Sequence, residues 1–247
     1  MARQITGLTP TTELEALNEM LAGIGEAPVL QAELESPTQA DVTMAVNFLT
    51  ESTRQVLTMG WRFNTEYGFQ IQSADTYAWT GSDSATATLL IFERPSDLLD
   101  WVLTSTAKQA NLNVVLRPPR DYSAAEGVLV FYDAEENRDG FESADLDGDS
   151  LYIEGVFAID FEDCPETLRF YITKLAAMRL QSRLMGARSL DMDSEQELQA
   201  AWRNVIRSQG RAERHNIFNN HDMLSKLGLN RNIQRGYRLD TRNSPRP

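Results

Sequence analysis

Residues 165–186, PETLRFYITKLAAMRLQSRLMG, read as one helix of about six turns. Pro165 suits the first helical turn, where its missing N–H costs nothing, and Gly186 suits the position just past the end. Leu168, Tyr171, Ile172, Leu175 and Ala176 mark one face, while Phe170, Ala177, Leu180 and Leu184 fall on the opposite side. A helix apolar almost all round has to be covered on several sides. This stretch is therefore expected to be a central rod onto which other helices pack.

Three further helices are legible outward from it. Thr12-Glu13-Leu14-Glu15 is a capping-box pattern, followed by Leu14, Leu17, Leu21 and Ile24 at helical spacing and by Gly25 as terminator. Ser36-Pro37 is expected to open a second helix as N-cap and first-turn proline. Its stripe is Val42, Ala45, Val46, Leu49, Val56 and Leu57, and Gly60 closes it. Ser194-Glu195-Gln196-Glu197 is a second capping box, expected to start a fourth helix with Leu198, Ala201, Trp202, Val205 and Ile206 on one face, running to about His215. The expected bundle core is Leu17, Leu21, Trp61, Phe63, Tyr171, Leu175 and Trp202.

Between Asn64 and Asp163 helical periodicity gives way to short β-like runs broken by turn residues. The runs are 67–72, 86–92, 112–116, 128–132 and 151–159, and Pro95-Ser96-Asp97-Leu98-Leu99 reads as a single helical turn. The expected fold class is thus α+β. An antiparallel bundle of about four helices, residues 1–63 and 164–215, is interrupted by a β-rich domain over 64–163. Residues 216–247 are arginine-rich and too polar for a core of their own, so they are expected to form an extended arm that orders on a partner.

The chain has 247 residues, 42% hydrophobic and 24% charged, enough for one sizeable core or two small ones. No run of about 18 apolar residues exists, so no membrane span is expected. MARQITGLTP, at residues 1–10, lacks the apolar segment of a signal peptide and reads as a flexible or docking arm. Cys164 is the single cysteine, which excludes an intrachain disulfide and fits a reducing compartment. Charge is divided unevenly. Residues 1–165 carry 8 basic and 28 acidic side chains, net −20, whereas residues 166–247 carry 15 and 8, net +7. Such a split suits opposite ends facing different partners, or like chains meeting head to flank.

Asp145-Leu146-Asp147-Gly148-Asp149 has the carboxylate spacing of a calcium loop's start, but position twelve is Val156 where a bidentate Glu is required, so a solvated turn is expected. His215 and His221 are six apart, on different helical faces, and lack a nearby Cys or acid at ligand spacing. No phosphate loop, dinucleotide fingerprint, nucleophile elbow or zincin motif is present. No cofactor, metal ligand or catalytic residue is expected. A carboxylate pair for glycoside hydrolysis needs no fixed spacing, so a glycan- or peptidoglycan-degrading enzyme stands as the alternative. Glu135, Glu136, Asp139 and Glu142, strewn through a loop, argue against it. The basic tail has only Phe218 and Tyr237 as aromatics, too few for a nucleic-acid stacking platform, which favours a protein-docking arm.

Four segments carry a resemblance. They are Thr12–Asn18 with Leu21–Val29, Gly60-Trp61-Arg62-Phe63-Asn64-Thr65-Glu66, Asp163–Glu166 with Arg169–Lys174, and Leu184-Met185-Gly186-Ala187. In series these resemble the tail tubular protein A family, the head-to-tail adaptors of T7-like short-tailed bacteriophages. The resemblance covers the four helices in order; between residues 70 and 160 it is confined to the surroundings of 130–133. It implies a structural, non-enzymatic virion protein located in the tail or neck and present in host cytoplasm during assembly. Such adaptors form a twelve-membered ring between the portal protein and the tail nozzle, tail tubular protein B, with tail fibres as a further contact. The ring lines the DNA exit channel, and the genome passes through it without specific binding. The C-terminal arm would reach the portal, which makes Arg231, Arg235, Tyr237, Arg238 and Leu239 the expected docking residues. The acidic body fits sliding DNA, because counterion release needs cations on the protein.

Overall fold

In a computed structural model of the chain, the described residues are 10–80, 86–104, 109, 112–185 and 188–212. The chain divides into two compact units, residues 1–186 and 187–247. The fold class is α+β, with helices and antiparallel sheets.

In the first unit, α1 (Glu13–Ile24) begins where the capping box places it. The Thr12 hydroxyl accepts from the Glu15 N–H at 3.2 Å, and the Glu15 carboxylate accepts from the Thr12 N–H at 3.0 Å. Gly25 ends the helix at φ +86°, the left-handed conformation that favours glycine. A short α2 (Gln31–Glu35), not foreseen from sequence, precedes α3 (Ala40–Leu57). The expected start of the second helix at Ser36-Pro37 is therefore corrected. Ser36 closes α2, and Gln39 is the N-cap of α3, without a side-chain cap bond. Proline cannot continue a preceding helix, so Pro37 separates two helices where it was expected to open one.

The decisive stretch forms α4 (Glu166–Met185), and both α1 and α3 pack on it. Leu168, Ile172, Leu175, Ala176 and Leu180 are buried, against Leu17, Met20 and Leu21 from α1 and Leu49, Val56 and Leu57 from α3. Within this unit coverage is incomplete: Phe170 remains 42% exposed, with the Lys174 ammonium 5.4 Å from its ring centroid, and Leu184 remains 40% exposed.

The β block contains β1 (Thr65–Gln72), β2 (Asp75–Thr80), β3 (Thr86–Ile91), β4 (Leu98–Leu103), β5 (Val114–Arg117), β6 (Val130–Asp133), β7 (Arg138–Asp139) and β8 (Ser150–Phe157). They pair antiparallel as β1-β8-β4, β2-β3 and β5-β6-β7. Single bridges Leu90–Phe141 and Glu93–Val130 join the segment around β3 to the third sheet. Phe92, Leu98, Phe131, Phe141, Leu146, Leu151 and Ile153 form its core, with the Trp101 and Phe131 rings edge to face at 4.9 Å.

Residues 95–99, expected as a helical turn, instead lead into β4. A register irregularity between Leu98 and Asp100 masks the strand's alternation in sequence, and β8, more than fifty residues away, supplies the pairing. β2 and the two-residue β7 also went unrecognised as strands.

The second unit contains α5 (Arg188–Ala212). It starts before Ser194, so the second capping-box pattern is interior to the helix. Residues 188–193 contain neither Gly nor Pro, so nothing in their sequence delays helix formation to Ser194. His215, His221 and the expected arm lie outside the described residues.

Candidate assembly surfaces

Helices and sheet of the first unit meet at a buried polar junction. The turn after α3 places Trp61 4% exposed, its indole N–H donating to the Val56 carbonyl at 2.7 Å. Asn64 is also buried. Its side-chain oxygen accepts from the Trp61 N–H at 2.8 Å, and its amide donates to the Leu57 and Phe157 carbonyls, each at 3.0 Å. One amide thus ties the end of α3 to the end of β8. The expectation that Phe63 packs in the core is corrected: it is 43% exposed. The turn has room for one inward side chain besides Trp61, and Asn64 takes it because only an amide satisfies both a donor and two acceptors there.

Of the other expected core positions, Leu17, Leu21 and Leu175 are buried, whereas Tyr171 and Trp202 are only partly so. Arg231, Arg235, Tyr237, Arg238 and Leu239 lie outside the described residues. Exposed apolar side chains include Tyr67 on β1 at 72%, within the register irregularity between Glu66 and Phe69, and Val102 on β4 at 64%, opposite Glu154 on β8.

A second polar centre stands in the β block. The buried Arg138 guanidinium meets Glu142 at 2.6 Å, Asp145 at 3.1 Å and Asp133 at 3.4 Å. Burial pulls the Arg138 pKa down, but the Glu142 hydrogen bond and the charges of Glu142, Asp133 and Asp145 outweigh it, and the net shift is upward. Beside it, Asp139 is fully buried and one carboxylate oxygen accepts from the N–H groups of Arg120, Asp121 and Tyr122 at 2.6, 2.6 and 2.9 Å. This pins residues 120–122 to β7. The Asp145–Asp149 segment is accordingly more than a solvated turn: Asp145 faces an arginine, and Leu146 is buried in the core. Among the described residues, no group of three or more His, Cys, Asp or Glu is placed to hold a metal ion.

A cleft of about 530 Å³ opens in the first unit between α1, α3 and residues 158–163. Leu49, Leu57 and Leu99 give it apolar walls, and Glu13, Asp160, Glu162, Asp163 and Arg54 supply its charges. Burial, then the charges of Glu162 and Asp160, raise the Glu13 pKa. The sequence analysis did not single out these acids. Their signal was the positive ends of two helices, since Glu13 begins α1 and residues 160–163 precede α4.

Cys164 is buried nearby. Burial pushes its thiol from 9.0 up to about 11, with Arg169 pulling back and Asp163 and Asp160 adding to the rise. The thiolate is the nucleophilic form, so this cysteine is inert near neutrality. Because the folded pKa lies above the unfolded one, the folded state holds the proton longer, and stability should fall as pH rises from 9 towards 11. Urea unfolding across this range should show a flatter alkaline limb for Cys164→Ala than for the parent. Equal limbs would mean the thiol is not protected by burial.

A family model described as tail tubular protein matches residues 14–80 and 105–215. A search of curated proteins finds none that matches the chain. No described helix is long and apolar enough to cross a membrane.

Proposed function

Since this chain belongs to the tail tubular protein family, a structural component of the phage virion tail, we propose that it is the head-to-tail adaptor of a short-tailed phage. In this reading, twelve copies form a ring between portal and tail nozzle, and the genome leaves through its lumen. The family match over residues 14–80 and 105–215 carries the proposal. The four segments that resemble adaptor sequences support its finer part, because all but residues 12–13 fall inside the matched ranges.

The chain's charge supports the same role. Net −13, concentrated before residue 166, repels phosphates, so a channel built from this protein would pass DNA without holding it. The arginine-rich segment 216–247 would supply guanidinium forks for portal carboxylates, with Arg231, Arg235, Tyr237, Arg238 and Leu239 as docking residues. The role needs no catalytic group, metal or cofactor. The helical parts, residues 1–63 and 164–215, would form the ring's wall, and residues 64–163 would face the nozzle.

Native mass spectrometry of the chain, alone and with portal rings, tests this reading. A discrete complex of one portal with twelve chains is expected, and deletion of residues 230–247 should abolish it without altering far-UV circular dichroism. A parent chain that ignores the portal overturns the adaptor role and directs attention to assays on envelope glycans. A truncated chain that still joins the portal overturns the docking role of the arm alone.

A further inference from the structure

We propose that the acid-rimmed cleft of one copy receives the arginine face of α5 from a neighbouring copy, forming the repeated contact that closes the ring. The proposal rests on the ring reading above and names its subunit interface.

The cleft presents four carboxylates, Glu13, Asp160, Glu162 and Asp163, against the single cation Arg54. Among the described residues, none of the four is in an ion pair. Arg169, which borders the same segment, is committed to the backbone carbonyls of Cys164, Thr11 and Glu162. Burial first, and then the charges of Glu162 and Asp160, raise the Glu13 pKa. An incoming partner therefore has to bring cations to the rim and an apolar group to the walls.

α5 carries that combination. From Leu198 to Ala212 it contains three arginines and no acid. Arg203, Ile206 and Arg207 are spaced i, i+3, i+4, so they share one face, and all three are exposed, Ile206 at 48%. Guanidinium forks match carboxylate pairs, and the isoleucine between them would meet the apolar walls. Charge complementarity between two surfaces of one chain specifies the occupant as a second copy. Such a contact is heterologous, one surface meeting a different surface, and repeats until rotation closes the circle.

Charge reversal on the full-length chain in the presence of portal rings tests the interface. Asp160→Lys with Asp163→Lys forms one variant and Arg203→Glu with Arg207→Glu the other. All four residues are exposed, and circular dichroism checks that each variant folds. Each variant alone should yield at least tenfold fewer rings than the parent, because like charges meet at every interface. Mixed, the two should restore rings by alternating, so native mass spectrometry should find equal numbers of each. Full assembly of either variant alone, or no recovery on mixing while the parent assembles, overturns this interface and leaves the adaptor role standing. A parent that forms no ring with the portal overturns both. A portal segment in the cleft would show as loss of rings for the cleft variant alone, with the α5 variant assembling fully, and would overturn this interface.

Discussion

Asn64→Ala should lower the unfolding free energy by about 3–5 kcal/mol, because it strips partners from three buried backbone groups at once. The Trp61 N–H and the carbonyls of Leu57 and Phe157 would each be left desolvated, and alanine has nothing to offer them. Asn64→Asp sharpens the test. It keeps the acceptor for Trp61 but turns an oxygen towards two carbonyl oxygens, so it should cost at least as much at neutral pH. The measurement is urea unfolding followed by tryptophan fluorescence, for which buried Trp61 beside the junction is a suitable reporter. A loss below about 1 kcal/mol for both variants would show that the amide is not what joins the end of α3 to the end of β8.

Arg138→Met should cost a comparable amount, about 3–5 kcal/mol, for a different reason. The methionine fills much of the volume, so the loss is electrostatic: Asp133, with a side chain only 3% exposed, keeps its charge and loses its counter-ion. Glu142 and Asp145 are 44% and 37% exposed, and water can take over much of their solvation. Asp133 should therefore account for most of the effect, and Asp133→Asn in the Arg138→Met background should recover a large part of it. Asp133 still accepts from the N–H groups of Glu135 and Glu136, which an asparagine oxygen can also do. Additive costs in this double-mutant cycle would mean the two residues act separately, contrary to the 3.4 Å contact.

Both sites bear on assembly. The buried amide joins the β block to the end of α3, and the buried guanidinium braces it beside its apolar core. In the proposed ring such fixed geometry would matter, since any misorientation would accumulate from copy to copy.

Features governed by residues a few positions apart were legible in the sequence. The α1 capping box, the Gly25 terminator and the span of α4 all follow from local hydrogen bonding and helical periodicity, and the structure bears them out. The family was legible through the resemblance of four short segments, and the family model matches residues 14–80 and 105–215. Where a local pattern had a competitor, it misled: Pro37 breaks rather than opens a helix, and the capping pattern at Ser194 lies inside one. Phe63 was expected inside, but Asn64 takes the inward position, where its amide meets the Phe157 carbonyl, 93 residues away. The same distance in sequence hid β4, whose partner is β8, and the cleft, whose acids come from α1 and from the approach to α4. Local chemistry by itself determined the spans of α1 and α4 and the change from helical to β grammar near Asn64, while the family was read from a resemblance. Only the tertiary structure decided which side chains are buried, which charges are paired and which surfaces are left open, because each of these depends on what the rest of the chain brings alongside.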